Sequence, residues 1–168
     1  MMTGIPFLSM AQEIPPAPVQ SSADMHNKSV AIVASKFNLE YTDALVSSCV
    51  NELSSLAPDL QIKIVRVPGS FEVPMAIQAL ANSSENFDCY IALGVILKGS
   101  TAHDMHVGSA VGHGLMEIAL STGTPVINEV LHVHNLDQAR ERCMGDKLNR
   151  GVEAARTAYE MVALLSEL

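Results

Sequence analysis

Cys89-Tyr90-Ile91-Ala92-Leu93-Gly94-Val95-Ile96-Leu97 is an unbroken apolar run, and Lys98-Gly99-Ser100-Thr101-Ala102-His103 follows it directly. A run of that length and composition predicts a strand buried on both faces. From about His103 the periodicity changes, with Val107, Val111, Leu115 and Ile118 at helical spacing. The stretch therefore reads strand, small polar turn, helix. Ser100 and Thr101 stand where N-caps are expected, so backbone N–H groups and two hydroxyls would face one small volume. Such a corner favours an anion. His103 stands beside it, and histidine is the side chain best suited to moving protons near neutral pH.

The same alternation extends in both directions. Residues 29–35 predict a short buried strand, followed by Lys36-Phe37-Asn38 and a helix marked by Leu45, Cys49, Leu53 and Leu56, which Pro58 closes. Residues 61–67 predict a second strand, ended by Pro68-Gly69, and the turn at 70–74 leads into a helix around 75–81. After the central strand and its helix, 125–131 predicts a fourth strand, then helices at 137–143 and 150–165. Val152, Ala155, Tyr159 and Val162 give the last one its apolar stripe. Strands alternating with helices predict a parallel sheet covered on both faces. The expected fold is α/β, a three-layer sandwich with a four-stranded parallel sheet of flavodoxin-like type. Ligands of such sheets bind beyond the C-terminal strand ends. Those ends carry Phe37-Asn38, Gly69-Ser70-Phe71-Glu72, Lys98-Gly99-Ser100-Thr101 and His132, so the chemically versatile residues fall on one edge.

The chain of 168 residues is expected to form a single domain over 28–168, preceded by a Pro- and Ser-containing arm over 1–27 that is extended or flexible. A formal charge of −8 argues against nucleic acid, which needs clustered Lys and Arg. It also requires any anion site to be built from local donors. Three widely spaced cysteines, Cys49, Cys89 and Cys143, read as reduced core thiols of a cytoplasmic protein rather than a disulfide framework. The N-terminal residues lack the pattern of a secretory signal, and no apolar stretch reaches membrane-spanning length.

With these residues in place, the chain resembles the 6,7-dimethyl-8-ribityllumazine synthase family from about Val30 to Leu165. The resemblance rests on Phe37-Asn38, Val67-Pro68-Gly69-Ser70-Phe71-Glu72-Val73-Pro74, Ala92 through Thr101 with His103, Pro125-Val126-Ile127, Gln138-Ala139, Glu141-Arg142 and Glu160-Met161, in that order and spacing. It implies condensation of 5-amino-6-ribitylaminouracil with 3,4-dihydroxy-2-butanone 4-phosphate, with release of phosphate and no metal or organic cofactor. It also implies a homo-oligomer, a pentamer or a multiple of pentamers, with sites between subunits. By resemblance, Phe37 stacks on the pyrimidine, and Ser70, Phe71 and Glu72 meet the ribityl chain. The backbone at Ile96 and Leu97 pairs with the pyrimidine edge. Ser100, Thr101 and Arg142 hold the phosphate, Arg150 contacts the pyrimidine, and His103 carries protons.

Several positions depart from the family pattern. Asn128 stands where an aromatic residue usually lines the pyrimidine pocket, and Glu129 replaces a small residue. His132-Val133 stands where two threonines are common, and Asp104-Met105-His106 where aromatic-Asp-aromatic is usual. These departures keep open a second function class, a non-catalytic relative that binds a lumazine or flavin. Simpler readings also stand beside the functional ones. Ser100-Thr101 serves equally as a plain N-cap, Phe37 as a core residue, and Glu72, Arg142 and Arg150 as solvated helix charges. His103, His106, His132 and His134 invite a metal reading, but the carboxylate or thiolate spacing typical of zinc is missing. Gly112 and Gly114 suggest close packing of their helix, on a neighbouring subunit or as a locally weak segment.

Overall fold

Strand β1 (Ser29–Ser35) divides the molecule, because its alternate side chains feed two separate cores. Val30, Ile32 and Ala34 point to one face of the sheet, Ala31 and Val33 to the other. The computed structural model describes residues 16–18 and 25–168; most of the expected arm lies outside these. The chain continues through α1 (Leu39–Leu56), β2 (Gln61–Val67), α2 (Val73–Ala81), β3 (Cys89–Leu97), α3 (His103–Thr122), β4 (Val126–Val133), α4 (Leu136–Met144) and α5 (Arg150–Glu167). The four strands are parallel in the order β2-β1-β3-β4. Helices α1, α4 and α5 contribute to the first core, and α2 and α3 to the second. This is the three-layer, flavodoxin-like arrangement expected from the sequence.

Strand β3 is central in both senses. It is flanked by β1 and β4, and every residue from Cys89 to Ile96 is buried. Ile91, Leu93 and Val95 enter the α1/α4/α5 core while Tyr90 and Ala92 enter the other. Each large side chain removed from water in this way contributes about 1.5–3 kcal/mol before entropy is counted. Its ladder with β1 stops at Ala34↔Leu93, whereas its ladder with β4 runs on to Leu97↔Val133. The β1 side of the last turn of β3 is thereby left without a strand neighbour, and a cleft opens there.

Some local expectations need correction. Strand β4 extends to Val133 instead of ending at Leu131, so His132 lies within the strand. A 3-10 turn at Ser70–Glu72 precedes α2, which starts at Val73 with Pro74 in its first turn, where a missing N–H costs nothing. The N-cap of α3 is Ala102 and no side chain caps it. Thr101 Oγ1 instead accepts a long bond from the His103 N–H at 3.4 Å, and Ser100 is too far upstream to cap. Within the chain, Gly114 packs closely on α2, where a Cβ would lie 3.1 Å from Pro74 Cβ. Cys49, Cys89 and Cys143 are free and buried. Burial pushes the thiols of Cys49 and Cys143 up to about 12, and that of Cys89 higher still. No helix among the described residues is long and apolar enough to cross a membrane.

Candidate active site

The cleft at the C-terminal end of β1 and β3 has a volume of about 540 Å³. Three loops shape it, and each is held by identifiable bonds. After β1, the N–H groups of Lys36 and Phe37 donate to the carbonyls of Val67 and Pro68. Asn38 then turns left-handed, with φ of 55°, and its side-chain amide donates to the Val95 carbonyl at 2.8 Å. Asparagine tolerates that conformation better than most residues. The bond also satisfies a carbonyl at the stretch of β3 that β1 does not reach.

After β2, Gly69 brings two functional side chains close to the backbone. A Cβ there would meet Glu72 Oε2 at 2.9 Å and the Phe37 ring at 3.1 Å. Phe37 is 70% exposed, with its ring at the cleft edge. Phe is normally buried, and an exposed ring on a cleft wall is suited to stacking on a planar ligand. Ser70 is buried at the cleft floor, and Phe71 and Glu72 stand at its rim.

After β3, Gly99, Ser100, Thr101 and His103 form the third wall together with Asp104. Ser100, Thr101 and His103 are exposed, so hydroxyls and imidazole are accessible at the start of α3. The positive end of this helix dipole favours an anion in the same place. Asp104 is buried, and its Oδ2 accepts from His132 Nε2 at 2.5 Å. Burial pulls the Asp104 carboxyl upward, but the His132 bond and backbone hydrogen bonding from Asp104 itself and Gly99 outweigh it. The carboxyl is held below its usual range. Asp104 and His132 stood in the sequence as two separate departures from the family pattern. In the fold they are partners of one another, and a complementary pair at a helix start and a strand end was the available signal. Asn38 and Gly69 stood on the expected strand-end edge; the bond of Asn38 to Val95 and the close approach at Gly69 are what the structure adds.

The expected site residues fall into two groups. Phe37, Ser70, Phe71, Glu72, Ile96, Leu97, Ser100, Thr101 and His103 line the one cleft. Asn128, Arg142 and Arg150 do not line it. Asn128 is exposed on β4, where its side chain accepts from the Val130 N–H at 3.1 Å. Arg142, on α4, has Glu141 at 3.9 Å. Arg150, the first residue of α5, forms an ion pair with Glu153. Glu129 lies near this pair. Burial pushes its carboxyl up to about 7, Arg150 opposes the rise and Glu153 adds to it. His132 and His134 stack at 6.0 Å, and among the described residues no group of three or more His, Cys, Asp or Glu side chains is placed to hold a metal.

The comparisons agree with this geometry. The model of the 6,7-dimethyl-8-ribityllumazine synthase family matches residues 27–166. A 6,7-dimethyl-8-ribityllumazine synthase of Paracidovorax citrulli (strain AAC00-1) is 43% identical over 140 residues, covering 83% of this chain and 88% of that one. Proteins of the same name from Xylella fastidiosa (strain M12) and Polaromonas sp. (strain JS666 / ATCC BAA-500) are 39% and 41% identical. They cover 82% and 83% of this chain, and 89% and 88% of their own lengths. With the sheet order, the cleft and the match over nearly all the described residues in agreement, the chain belongs to the 6,7-dimethyl-8-ribityllumazine synthase family.

Proposed function

We propose that the protein condenses 5-amino-6-ribitylaminouracil with 3,4-dihydroxy-2-butanone 4-phosphate to 6,7-dimethyl-8-ribityllumazine, releasing phosphate and water. The observation that carries this reading is the single cleft that joins an exposed stacking ring, Phe37, to an anion corner, Ser100-Thr101, with His103 beside it. The pyrimidine stacks on Phe37 with its edge along the backbone of Ile96 and Leu97, on the side of β3 that β1 does not reach. The ribityl chain runs past Ser70, Phe71 and Glu72, and the butanone phosphate sits against Ser100 and Thr101.

The steps are imine formation between an amine and the ketone with loss of water, elimination of phosphate by cleavage of its C–O bond, and ring closure by the second amine with loss of a second water. Each is accompanied by proton transfers between two held molecules. Orientation supplies much of the acceleration. General acid–base catalysis by His103 adds on the order of 10²–10⁴-fold. The placement of Asn128, Arg142 and Arg150 away from the cleft supports a homo-oligomer, a pentamer or a multiple of one. In it a neighbouring copy brings these three residues to the site, with Arg142 on the phosphate and Arg150 and Asn128 on the pyrimidine.

A steady-state assay with both substrates, following lumazine absorbance, tests the reaction. Turnover supports it. A purified protein that carries or binds a yellow flavin or lumazine yet forms no product would instead support the binding role that Asn128 suggests. Light scattering tests the assembly, and a monomer at micromolar concentration contradicts it.

A further inference from the structure

Both ends of the anion loop are fastened to the end of β4. At its entry, the Lys98 N–H donates to the Val133 carbonyl at 2.8 Å. At its exit, His132 Nε2 meets the Asp104 carboxylate at 2.5 Å. Asp104 is 7% exposed and His132 is at the surface. The segment between the two fastenings carries Ser100 and Thr101, and His103 immediately precedes Asp104. Between Lys98 and His103 the chain forms no regular structure and is exposed, so without outside ties its backbone would sample many conformations.

We propose that Asp104, held by His132, is a positioning residue that fixes the Gly99–Ala102 backbone and His103 in the conformation that receives the butanone phosphate. The inference rests on the phosphate reading of that loop given above. Asp104 does not need to touch the substrate to act. A carboxylate beside an anion site repels the anion if it acts through charge alone, so a favourable role for Asp104 there has to come through the groups it holds. Its carboxylate is turned to His132, whose imidazole takes up part of its charge.

The two roles give opposite signs on substitution. Asp104→Ala removes the charge and the ties together. If Asp104 positions the loop, the KM for the butanone phosphate rises about tenfold, as expected for loss of a charge-assisted hydrogen bond, while the KM for the pyrimidine stays within about twofold. Asp104→Asn keeps an acceptor for His132 and restores most of the affinity. His132→Ala reproduces the loss, and the double variant is no worse than either single one, because both cut the same tie. If Asp104→Ala or Asp104→Asn tightens the butanone phosphate, the carboxylate acts through charge and the proposal is overturned. Equal changes in both KM values also overturn it.

Amide hydrogen exchange of the intact protein provides a second measurement that does not depend on turnover. Exchange at Gly99–Ala102 should speed up in Asp104→Ala and return toward the parent rate in Asp104→Asn, and added inorganic phosphate should slow it in the parent. Unchanged exchange in Asp104→Ala refutes the positioning role. A parent that makes no lumazine removes the reaction, while the exchange result still decides the role of Asp104.

Discussion

A Cβ placed on Gly94 would lie 2.6 Å from the Ser70 hydroxyl and 3.2 Å from that of Ser35. The cleft floor therefore depends on a glycine in the middle of β3. Ser35 is fully buried and its hydroxyl has no hydrogen-bond partner among the described residues. Gly94→Ala should push Ser70 and the 3-10 turn outward. The expected cost is about 1–3 kcal/mol in urea unfolding, with weaker pyrimidine binding as well. Ser35→Ala should be neutral or stabilising by about 1 kcal/mol, since it removes a buried polar group that gains nothing from the fold. A clear loss of stability in Ser35→Ala would show that its hydroxyl is satisfied.

Arg142 is the cation assigned to the phosphate in a protein of net charge −8. Arg142→Ala should raise the KM for the butanone phosphate far more than that for the pyrimidine, because an Arg–phosphate contact is charge-assisted and often bidentate. Equal rises would identify Arg142 as structural.

His103 is exposed at the cleft, so replacing it should leave the fold intact. His103→Ala should lower the rate on the order of 10²-fold while both substrates still bind, and the pH–rate profile should lose a limb. Residual turnover is expected from orientation alone. His106 is one turn further along α3, and a His103/His106 double variant would reveal any substitution of one imidazole for the other. Full activity with an unchanged profile in His103→Ala moves the proton carrier elsewhere.

Glu129 and Asp104 should shape the pH dependence of stability in opposite ways. The Glu129 carboxyl is raised from 4.5 to about 7, chiefly by burial. The folded protein holds that proton more tightly than the unfolded chain. Its contribution is therefore complete below about 4.5 and is lost as pH rises through about 7, an effect on the order of 3 kcal/mol. Asp104 is lowered, so its contribution is present above the usual carboxylate range and is lost as pH falls through its folded value. Glu129→Gln should flatten the thermal-stability profile between about pH 5 and 8. A Glu129→Gln profile parallel to the parent's would refute the assignment.

The central unit was legible because its signals are local. The apolar run 89–97, the break at Gly99 and the helical spacing from Val107 to Ile118 each act within a few residues, and β3 and α3 begin and end close to where those signals stand. The end of β4 was not legible, because His132 reads as a polar terminus in sequence. In the fold it continues the strand, with its side chain satisfied by Asp104, 28 residues away. No short window contains that pair. The cap of α3 was misplaced for a related reason: Ser100 and Thr101 have the right chemistry, but the helix starts only at His103. Nine expected site residues converge because strand ends of a parallel sheet share one edge. Asn128, Arg142 and Arg150 sit elsewhere on the chain, where only their motifs, and not the topology of one copy, connect them to the cleft.

The three thiols give the protein a chemical silence that could be put to use. Oxidants and alkylating reagents attack thiolate, and Cys49, Cys89 and Cys143 are both enclosed and held protonated. The native chain should pass through thiol-directed alkylating reagents unmarked at cysteine. Lys36 is exposed next to Phe37, which lines the cleft, and Lys36→Cys would create a single accessible thiol there. A fluorophore attached there would report occupancy from one defined point, with no need to remove the native cysteines first.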